Sequence, residues 1–201
     1  MKLAISLITS YLVGGIPIGF LVGKITKNID VRKLGTKNIG ATNVFHVIGK
    51  VPGILTFVLD LLKPVFAMWL ASKYTFIPVY FVPLVGAASV VGNLWSPFLK
   101  FKGGRGLSAT IGYFIYTMPC AVPLLAIITF IIVVLTKWNL PVGGLSLYII
   151  GPIVAAKVYH YPRFIIYTTL FLGLFVLVRQ LPWMIIHLTN FYSRRKQYGK
   201  M

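Results

Sequence analysis

Uncharged apolar runs constrain this chain more than any other feature. They cover residues 3–23, 74–99, 106–136, 138–156 and 164–178, and the 201 residues include only 20 basic and 2 acidic side chains. A soluble domain of this length carries about a quarter charged residues. Most of the runs reach or exceed the roughly 17–25 residues that cross a bilayer as a helix. The sequence therefore predicts a single all-α domain over 1–201 that is embedded in a membrane.

Seven transmembrane helices are predicted from these runs. Their approximate bounds are 3–23, 51–72, 74–95, 106–118, 119–136, 138–158 and 163–187. The fourth differs from the others, because 106–136 is too long for one upright helix and short for two, and Pro119 and Pro123 should interrupt it. Residues 106–118 are therefore expected to form a short or half-penetrating helix that is buried in protein or faces a cavity.

Basic residues are distributed unevenly between the two predicted sides of the membrane. With seven helices and an outside N-terminus, fourteen Lys and Arg fall on one side and four on the other. Cytoplasmic loops are enriched in Lys and Arg. We therefore predict that the protein lies in the inner membrane of the cell. Its C-terminus, the 24–50 loop and the 96–105 loop are predicted to face the cytoplasm. Asp30 and Asp60 are the only acidic residues, which excludes a carboxylate-rich metal site. Cys120 is the only cysteine, which excludes a disulfide framework.

Two glycine-rich basic segments lie on this predicted cytoplasmic side. GTKNIGATN runs from Gly35 to Asn43, and FKGGRG runs from Phe101 to Gly106. Glycine lets backbone N–H groups approach a ligand closely, and neighbouring cations favour an anion. Together the segments indicate a phosphate-binding site built from loops, although each is also compatible with an ordinary connector or basic turn. Neither matches a Walker or dinucleotide pattern, so a nucleotide is not indicated.

A few polar residues interrupt the predicted helices. Asp60 and Lys63 are spaced to share one helix face, where they either serve a function or neutralise each other while fixing helix packing. Arg179 is expected to snorkel toward the cytoplasmic side. A further polar face, at roughly helical spacing, consists of His187, Asn190 and Arg194. That polar face either contributes to the predicted phosphate-binding site or binds lipid headgroups.

Three blocks of motif residues are spread along the chain. The first contains Gly15-Ile16-Pro17, Lys24, Asp30, Arg32, the run from Gly35 to Val44, and Asp60 with Lys63. The second contains Gly92, Phe98 and the run from Phe101 to Gly106, and the third contains His187, Asn190, Arg194 and Gly199. In this order the blocks resemble those of the bacterial acyl-phosphate:glycerol-3-phosphate acyltransferases, the PlsY family. The departures from the family pattern are Thr36, Lys37, His46, Asn93, Ser96, Arg105 and, in place of a closing Glu, Lys200.

The resemblance implies an integral membrane enzyme that transfers a fatty acyl group from acyl phosphate to the sn-1 hydroxyl of glycerol 3-phosphate, giving lysophosphatidic acid. It implies membrane lipids as surroundings, no nucleic acid partner, and no cofactor or metal at the catalytic step. The residues expected to take part in catalysis are Thr36, Arg105, His187 and Asn190. Those expected to bind phosphate or acyl phosphate are Arg32, Lys37, Asn38, Gly40, Thr42, Asn43, His46, Lys102, Gly103, Gly104, Gly106 and Arg194.

The acceptor of the hydroxyl proton and the function itself are each left with alternatives. Acyl phosphate is already activated, so positioning and charge stabilisation are the main requirements. The hydroxyl proton passes either to a substrate phosphate oxygen or to His187. Two alternative functions also fit the residues: a catalytically weak or inactive paralogue that binds phosphorylated lipid precursors, and a small transporter for phosphorylated anions.

Overall fold

The described part of the chain is built from nine α-helices and contains no strand. The computed structural model describes residues 1–74, 77–136 and 140–198, and it describes the side chains of these residues except at 140–141 and 182–198. The helices are Lys2–Gly15 (α1), Ile18–Lys27 (α2), Ala41–Val47 (α3), Lys50–Tyr74 (α4), Val82–Leu94 (α5), Leu107–Thr117 (α6), Val122–Leu135 (α7), Leu140–Lys157 (α8) and Arg163–Tyr198 (α9). Short 3₁₀ turns occupy Val31–Lys33, Val79–Phe81, Pro97–Leu99 and Pro119–Ala121. The all-α prediction is confirmed.

By length and composition, four helical units in the described residues can cross a membrane. They are Lys2–Lys27, Lys50–Tyr74, Val79–Leu99 and Arg163–Leu181. Leu107–Thr117 and Pro119–Leu135 form a bent pair with an angle of 117°, as expected where Pro119 cannot continue a helix. The apolar part of α8, Val142–Lys157, is shorter. The prediction of a helical integral membrane protein is confirmed, and the count of seven crossings stays a prediction.

The first predicted span, 3–23, lies within the apolar unit Lys2–Lys27, but that unit is divided into two helices, which the sequence did not predict. α1 ends at Gly15 and α2 begins at Ile18. Pro17 has no backbone N–H and cannot complete the helical hydrogen bond to the preceding turn. Carbonyl groups at the break therefore need partners from other parts of the molecule.

Small residues let α1 and α5 approach closely. A Cβ atom at Gly14 would overlap the backbone of Ser89, and one at Gly92 would overlap the carbonyl oxygen of Tyr11. Ser10 Oγ on α1 also donates a 2.6 Å hydrogen bond to the carbonyl oxygen of Val85 on α5. Close approach of backbones at small residues is the usual way for membrane helices to associate.

The 24–50 segment contains helical stretches as well as irregular turns, so the prediction that it is a loop throughout is wrong. α2 continues to Lys27, a 3₁₀ turn covers Val31–Lys33, and α3 covers Ala41–Val47. The glycine-rich run is thus divided: its first residues form an irregular turn and its last three begin α3. The start of α3 at Ala41 is compatible with the sequence because its N-cap residue is Gly40, and glycine is among the residues favoured at that position.

One small apolar cluster lies beneath both glycine-rich segments. Its buried members are Val22, Val31, Ile39, Val44, Ile48 and Leu99. Ile39 belongs to the first segment, and Leu99 lies in the 3₁₀ turn that precedes FKGGRG. Burying an aliphatic side chain contributes about 1.5–3 kcal/mol, so this shared cluster holds the two segments together. The larger core lies between α5, α6, α8 and α9, around Tyr113, Phe114, Met118 and Leu172.

Candidate functional site

Asn43 organises the first glycine-rich segment from inside the protein. Its buried Oδ1 accepts the N–H of Thr36 at 2.7 Å, and its Nδ2 lies 2.8 Å from the carbonyl oxygens of Val31 and Asn38. The Leu34 carbonyl oxygen lies 3.2 Å from the same nitrogen. The side chain thus uses its hydrogen-bonding groups to shape the turn. A direct contact between Asn43 and phosphate stays a prediction.

The backbone at position 37 has a conformation that favours glycine. Lys37 has φ +57°, and its N–H donates to the carbonyl oxygen of Leu34 at 3.0 Å. A residue with a Cβ pays about 1–2 kcal/mol in this left-handed region. Lys in place of the family's glycine therefore adds an exposed cation at the edge of the site and strains the turn.

Arg32 is held by the chain's own carboxylate. Its Nε and Nη2 donate to the two oxygens of Asp30 at 2.9 and 2.8 Å, and its guanidinium lies 4.8 Å from the centre of the Phe20 ring. Hydrogen bonding to Arg32 lowers the pKa of Asp30 to about 2. The predicted phosphate ligand is therefore fixed in a bidentate pair, and direct phosphate binding by Arg32 stays a prediction.

The FKGGRG segment forms a tight loop between α5 and α6. The N–H of Phe101 donates to Ser96, that of Lys102 to Leu99 and that of Gly104 to Asn93, at 2.8, 3.1 and 2.8 Å. Lys100 and Phe101 both have positive φ, and Gly106 has φ +79° at the N-cap of α6. Because α6 begins here, the positive end of its dipole lies at the loop. A compact loop of this kind at a helix start favours an anion.

The two segments meet, as the sequence predicts. A Cβ atom at Gly104 would lie 3.6 Å from Cγ1 of Ile39 in the first segment. The polar side chains on the two segments divide into exposed and enclosed groups. Those exposed to solvent are Thr36, Lys37, Thr42, His46 and Lys102, whereas Asn38 and Arg105 are half-buried and Gly103, Gly104 and Gly106 are buried. The structure therefore places exposed cations and hydroxyls around a buried glycine loop.

Arg179 on α9 is the site residue that sequence reasoning missed. Its Nη2 donates to the carbonyl oxygen of Gly103 at 2.8 Å, and its Nε donates to that of Gly104 at 3.3 Å. The second of these carbonyl groups belongs to the residue before Arg105, and burial, followed by the charge of Arg179, lowers the pKa of Arg105. The expectation that Arg179 snorkels toward the cytoplasmic side stays a prediction, and the structure adds that its partners are carbonyl groups of the loop. The available signal was a lone charge in an otherwise apolar run, where charge is costly.

His187, Asn190 and Arg194 remain predictions. Their backbone belongs to α9, but their side chains lie outside the described residues. His187 comes eight residues after Arg179, which places its Cα about 12 Å farther along the helix axis. Among the polar residues of α9 whose side chains the structure describes, Arg179 is the one that contacts the FKGGRG loop.

Lys63 and Asp60 form a buried pair that supports the break in the first span. Lys63 Nζ lies 2.7 Å from Asp60 Oδ1, and it donates to the carbonyl oxygens of Gly14 and Ile16 at 2.7 and 2.9 Å. Asn93 Nδ2 donates to Asp60 Oδ1 at 3.2 Å. Of the two alternatives for this pair, these contacts favour the structural one.

Two departures from the family pattern have partners in the same region. Ser96 Oγ donates to the carbonyl oxygen of Gly15 at 2.5 Å, which supplies a third partner for the helix break. Asn93 joins Asp60 through its side chain and Gly104 through its backbone carbonyl. The buried polar network therefore continues from the first span to the FKGGRG loop. Within the described side chains, no three His, Cys, Asp or Glu residues come together as a metal site would need.

The chain is similar in sequence to glycerol-3-phosphate acyltransferases. The family model described as glycerol-3-phosphate acyltransferase matches residues 4–189. A relative of that name from Solidesulfovibrio magneticus is 38% identical over 150 residues, covering 75% of this chain and 74% of the relative. One from Syntrophotalea carbinolica is 36% identical over 176 residues, covering 87% and 88%.

Two solved structures are similar over most of both chains. Both are crystal structures of PlsY, an integral membrane glycerol 3-phosphate acyltransferase. Its glycerol 3-phosphate form has a TM-score of 0.83 at 28% identity, covering 94% of each chain. Its lysophosphatidic acid form has a TM-score of 0.81 at 26% identity, covering 94% of this chain and 93% of the other.

Proposed function

The chain belongs to the glycerol-3-phosphate acyltransferase family, and on that premise we propose that it acylates the sn-1 hydroxyl of glycerol 3-phosphate with acyl phosphate as donor. The product is lysophosphatidic acid, so the reaction is the first acylation of phospholipid synthesis. The names of the relatives favour this enzyme over a binding paralogue or a transporter of phosphorylated anions.

One observation supports the proposal most directly: two glycine-rich basic segments meet above a shared apolar cluster. Both substrates carry a phosphate group, and this arrangement offers cations, loop backbone and the positive end of α6. Both acidic side chains of the chain are committed elsewhere, Asp30 to Arg32 and Asp60 to Lys63. The site thus suits an anion.

The reaction requires little of the protein beyond placement and charge. The sn-1 oxygen attacks the acyl carbon, a C–O ester bond forms, and the bond between the acyl carbon and the phosphate oxygen breaks. Phosphate leaves with the electron pair, and one of its oxygens takes the hydroxyl proton. The half-buried Arg105 and the exposed Lys102 are proposed to stabilise the negative charge that develops on phosphate. Thr36, His187 and Asn190 are proposed to orient the hydroxyl and the phosphates.

The membrane position follows from the distribution of charge. We place the N-terminus outside and the C-terminus and both glycine-rich segments in the cytoplasm, where water-soluble glycerol 3-phosphate is available. Cysteines introduced at position 37 or 102, in a background without Cys120, should resist a membrane-impermeant reagent added to intact cells. Efficient labelling from outside would contradict this orientation.

Purified protein supplied with acyl phosphate and glycerol 3-phosphate tests the activity directly. Wild-type protein should form lysophosphatidic acid well above a no-protein control, and Arg105→Ala or His187→Ala should lose on the order of 100-fold or more in rate. Lys73→Ala, on the predicted outer side, is the matched control and should be unchanged. A wild-type protein that binds acyl phosphate without turnover would identify the binding paralogue instead.

A further inference from the structure

The FKGGRG loop is held from two sides, and each side uses a different helix. The peptide unit between Gly103 and Gly104 accepts Arg179 at its carbonyl oxygen and donates its N–H to Asn93. α9 therefore holds one end of this unit, and α5 holds the other. A peptide fixed at both ends cannot rotate without losing a hydrogen bond.

Arg179 also determines the direction of the next peptide unit. Its Nε donates to the carbonyl oxygen of Gly104. In a trans peptide the carbonyl and the following N–H point in opposite directions, so the N–H of Arg105 is directed away from α9. One guanidinium thus orients two consecutive peptide units, which a single-point donor such as Lys cannot do with the same geometry.

The charge of Arg179 has an electrostatic consequence as well. Among the described residues it forms no ion pair, and the two carboxylates of the chain bind Arg32 and Lys63. Arg179 is half-buried, and its guanidinium contacts the carbonyl group of Gly104, the residue before the half-buried Arg105. Two neighbouring guanidinium groups in partly buried surroundings repel each other, and a phosphate dianion placed beside them relieves that repulsion.

We infer that Arg179 is a positioning residue of the acyltransferase site, one that holds the FKGGRG loop in the shape that receives a phosphate dianion. The inference rests on the proposed function. It assigns to α9 a part in the site at a position well before the His187 face. It also gives a role to the charged side chain that directly follows the uncharged run 164–178.

Three variants test the inference in steady-state kinetics. Arg179→Ala should lower kcat/KM by about 10-fold to 100-fold, since two hydrogen bonds from a charged donor are lost. Arg179→Lys should recover part of the loss, because it keeps the charge without the fork. Arg163→Ala, at the exposed start of the same helix, should match wild type. Thermal unfolding and size-exclusion profiles establish that each variant is folded.

Chemical rescue separates positioning from simple support of the fold. Millimolar guanidinium chloride should restore activity to Arg179→Ala, relative to sodium chloride at equal ionic strength, and should not affect Arg163→Ala. An Arg179→Ala protein within twofold of wild type would overturn the inference. So would a variant with reduced activity and a lowered unfolding temperature that neither guanidinium nor the Lys variant recovers.

Failure of the proposed function gives a different result. If wild type shows no turnover, the acyltransferase assignment fails, and binding of inorganic phosphate measured by calorimetry takes the place of kinetics. Weaker phosphate binding in Arg179→Ala than in Arg163→Ala would then sustain the loop-positioning role without the enzyme. Equal binding in the two variants would overturn it.

Discussion

Adding one methyl group at Gly103 tests how tightly the FKGGRG loop is held. A Cβ atom there would overlap the carbonyl oxygen of Asn93 and would lie 2.6 and 2.7 Å from the carbonyl oxygen and carbon of Leu94. All three are backbone atoms of α5, which cannot move aside as the end of a side chain can. At Gly104 the nearest atoms, Asn93 Oδ1 and Ile39 Cγ1, lie at 3.3 and 3.6 Å and belong to side chains.

The size of the effect follows from these contacts. Overpacking against fixed atoms costs about 1–3 kcal/mol, and displacing the loop weakens the Gly104–Asn93 hydrogen bond, worth about 1 kcal/mol net. A total of roughly 2–4 kcal/mol, if it falls on the loop that places phosphate, corresponds to a loss of about 30-fold to 1000-fold in kcat/KM. Gly104→Ala should lose less than Gly103→Ala, because side chains can adjust.

The assay is lysophosphatidic acid formation by purified Gly103→Ala, Gly104→Ala and wild-type protein at matched concentration. Lys73→Ala, on the predicted outer side, serves as the control for effects of expression and purification on activity. Thermal unfolding of each variant shows whether the cost falls on the loop or on the whole protein. A Gly103→Ala enzyme with wild-type kinetics, or a Gly104→Ala enzyme that is the worse of the two, would refute the reasoning.

Three further predictions concern the residues that support the site. Lys63→Met should lower the free energy of unfolding by about 3–5 kcal/mol, because it leaves Asp60 buried without its cation. In thermal unfolding, the double variant with Asp60→Leu should recover part of the lost stability. No recovery would argue against the Asp60–Lys63 pair as the source of the loss. Lys37→Gly should be about 1 kcal/mol more stable than Lys37→Ala. Both variants remove the charge, but only glycine adopts the positive φ of this position without steric strain. Equal unfolding temperatures of the two variants would contradict this prediction. The lowered pKa of Asp30 means that its ionised form stabilises the fold, by about 1 kcal/mol. The difference in unfolding free energy between wild type and Asp30→Asn should be fully present well above the ordinary pKa of 3.8 and should be lost as the pH falls through the folded pKa of about 2. A difference that persists at still lower pH would exclude the pair with Arg32 as its source.

The arrangement of the site was only partly predictable from sequence. The pairing of GTKNIGATN with FKGGRG was predictable, because glycine, small polar residues and cations together indicate anion binding wherever the two loops lie on one face. The role of Asn43 was not, since four backbone partners at 31, 34, 36 and 38 converge on it only after the turn has formed. Arg179 lies 75 residues from Gly104, and no local pattern relates the two.

The sequence by itself determined the class of protein and its surroundings. Runs without charge, too long for a soluble core, leave a helical membrane protein as the solution, because a lipid-exposed backbone must satisfy its hydrogen bonds internally. Proline at 119 and 123 also predicted the interruption that appears as the 117° bend. These conclusions depend only on local composition and on bonds between near neighbours in the chain.

Tertiary structure alone decided how the breaks and loops are supported. Pro17 is visible in the sequence, but a proline in a membrane helix can be tolerated, kinked or broken according to what receives the released carbonyls. Here Lys63 and Ser96, on other helices, receive them. The partners of a buried polar group are distant in sequence, and they become known only when packing has brought the helices together.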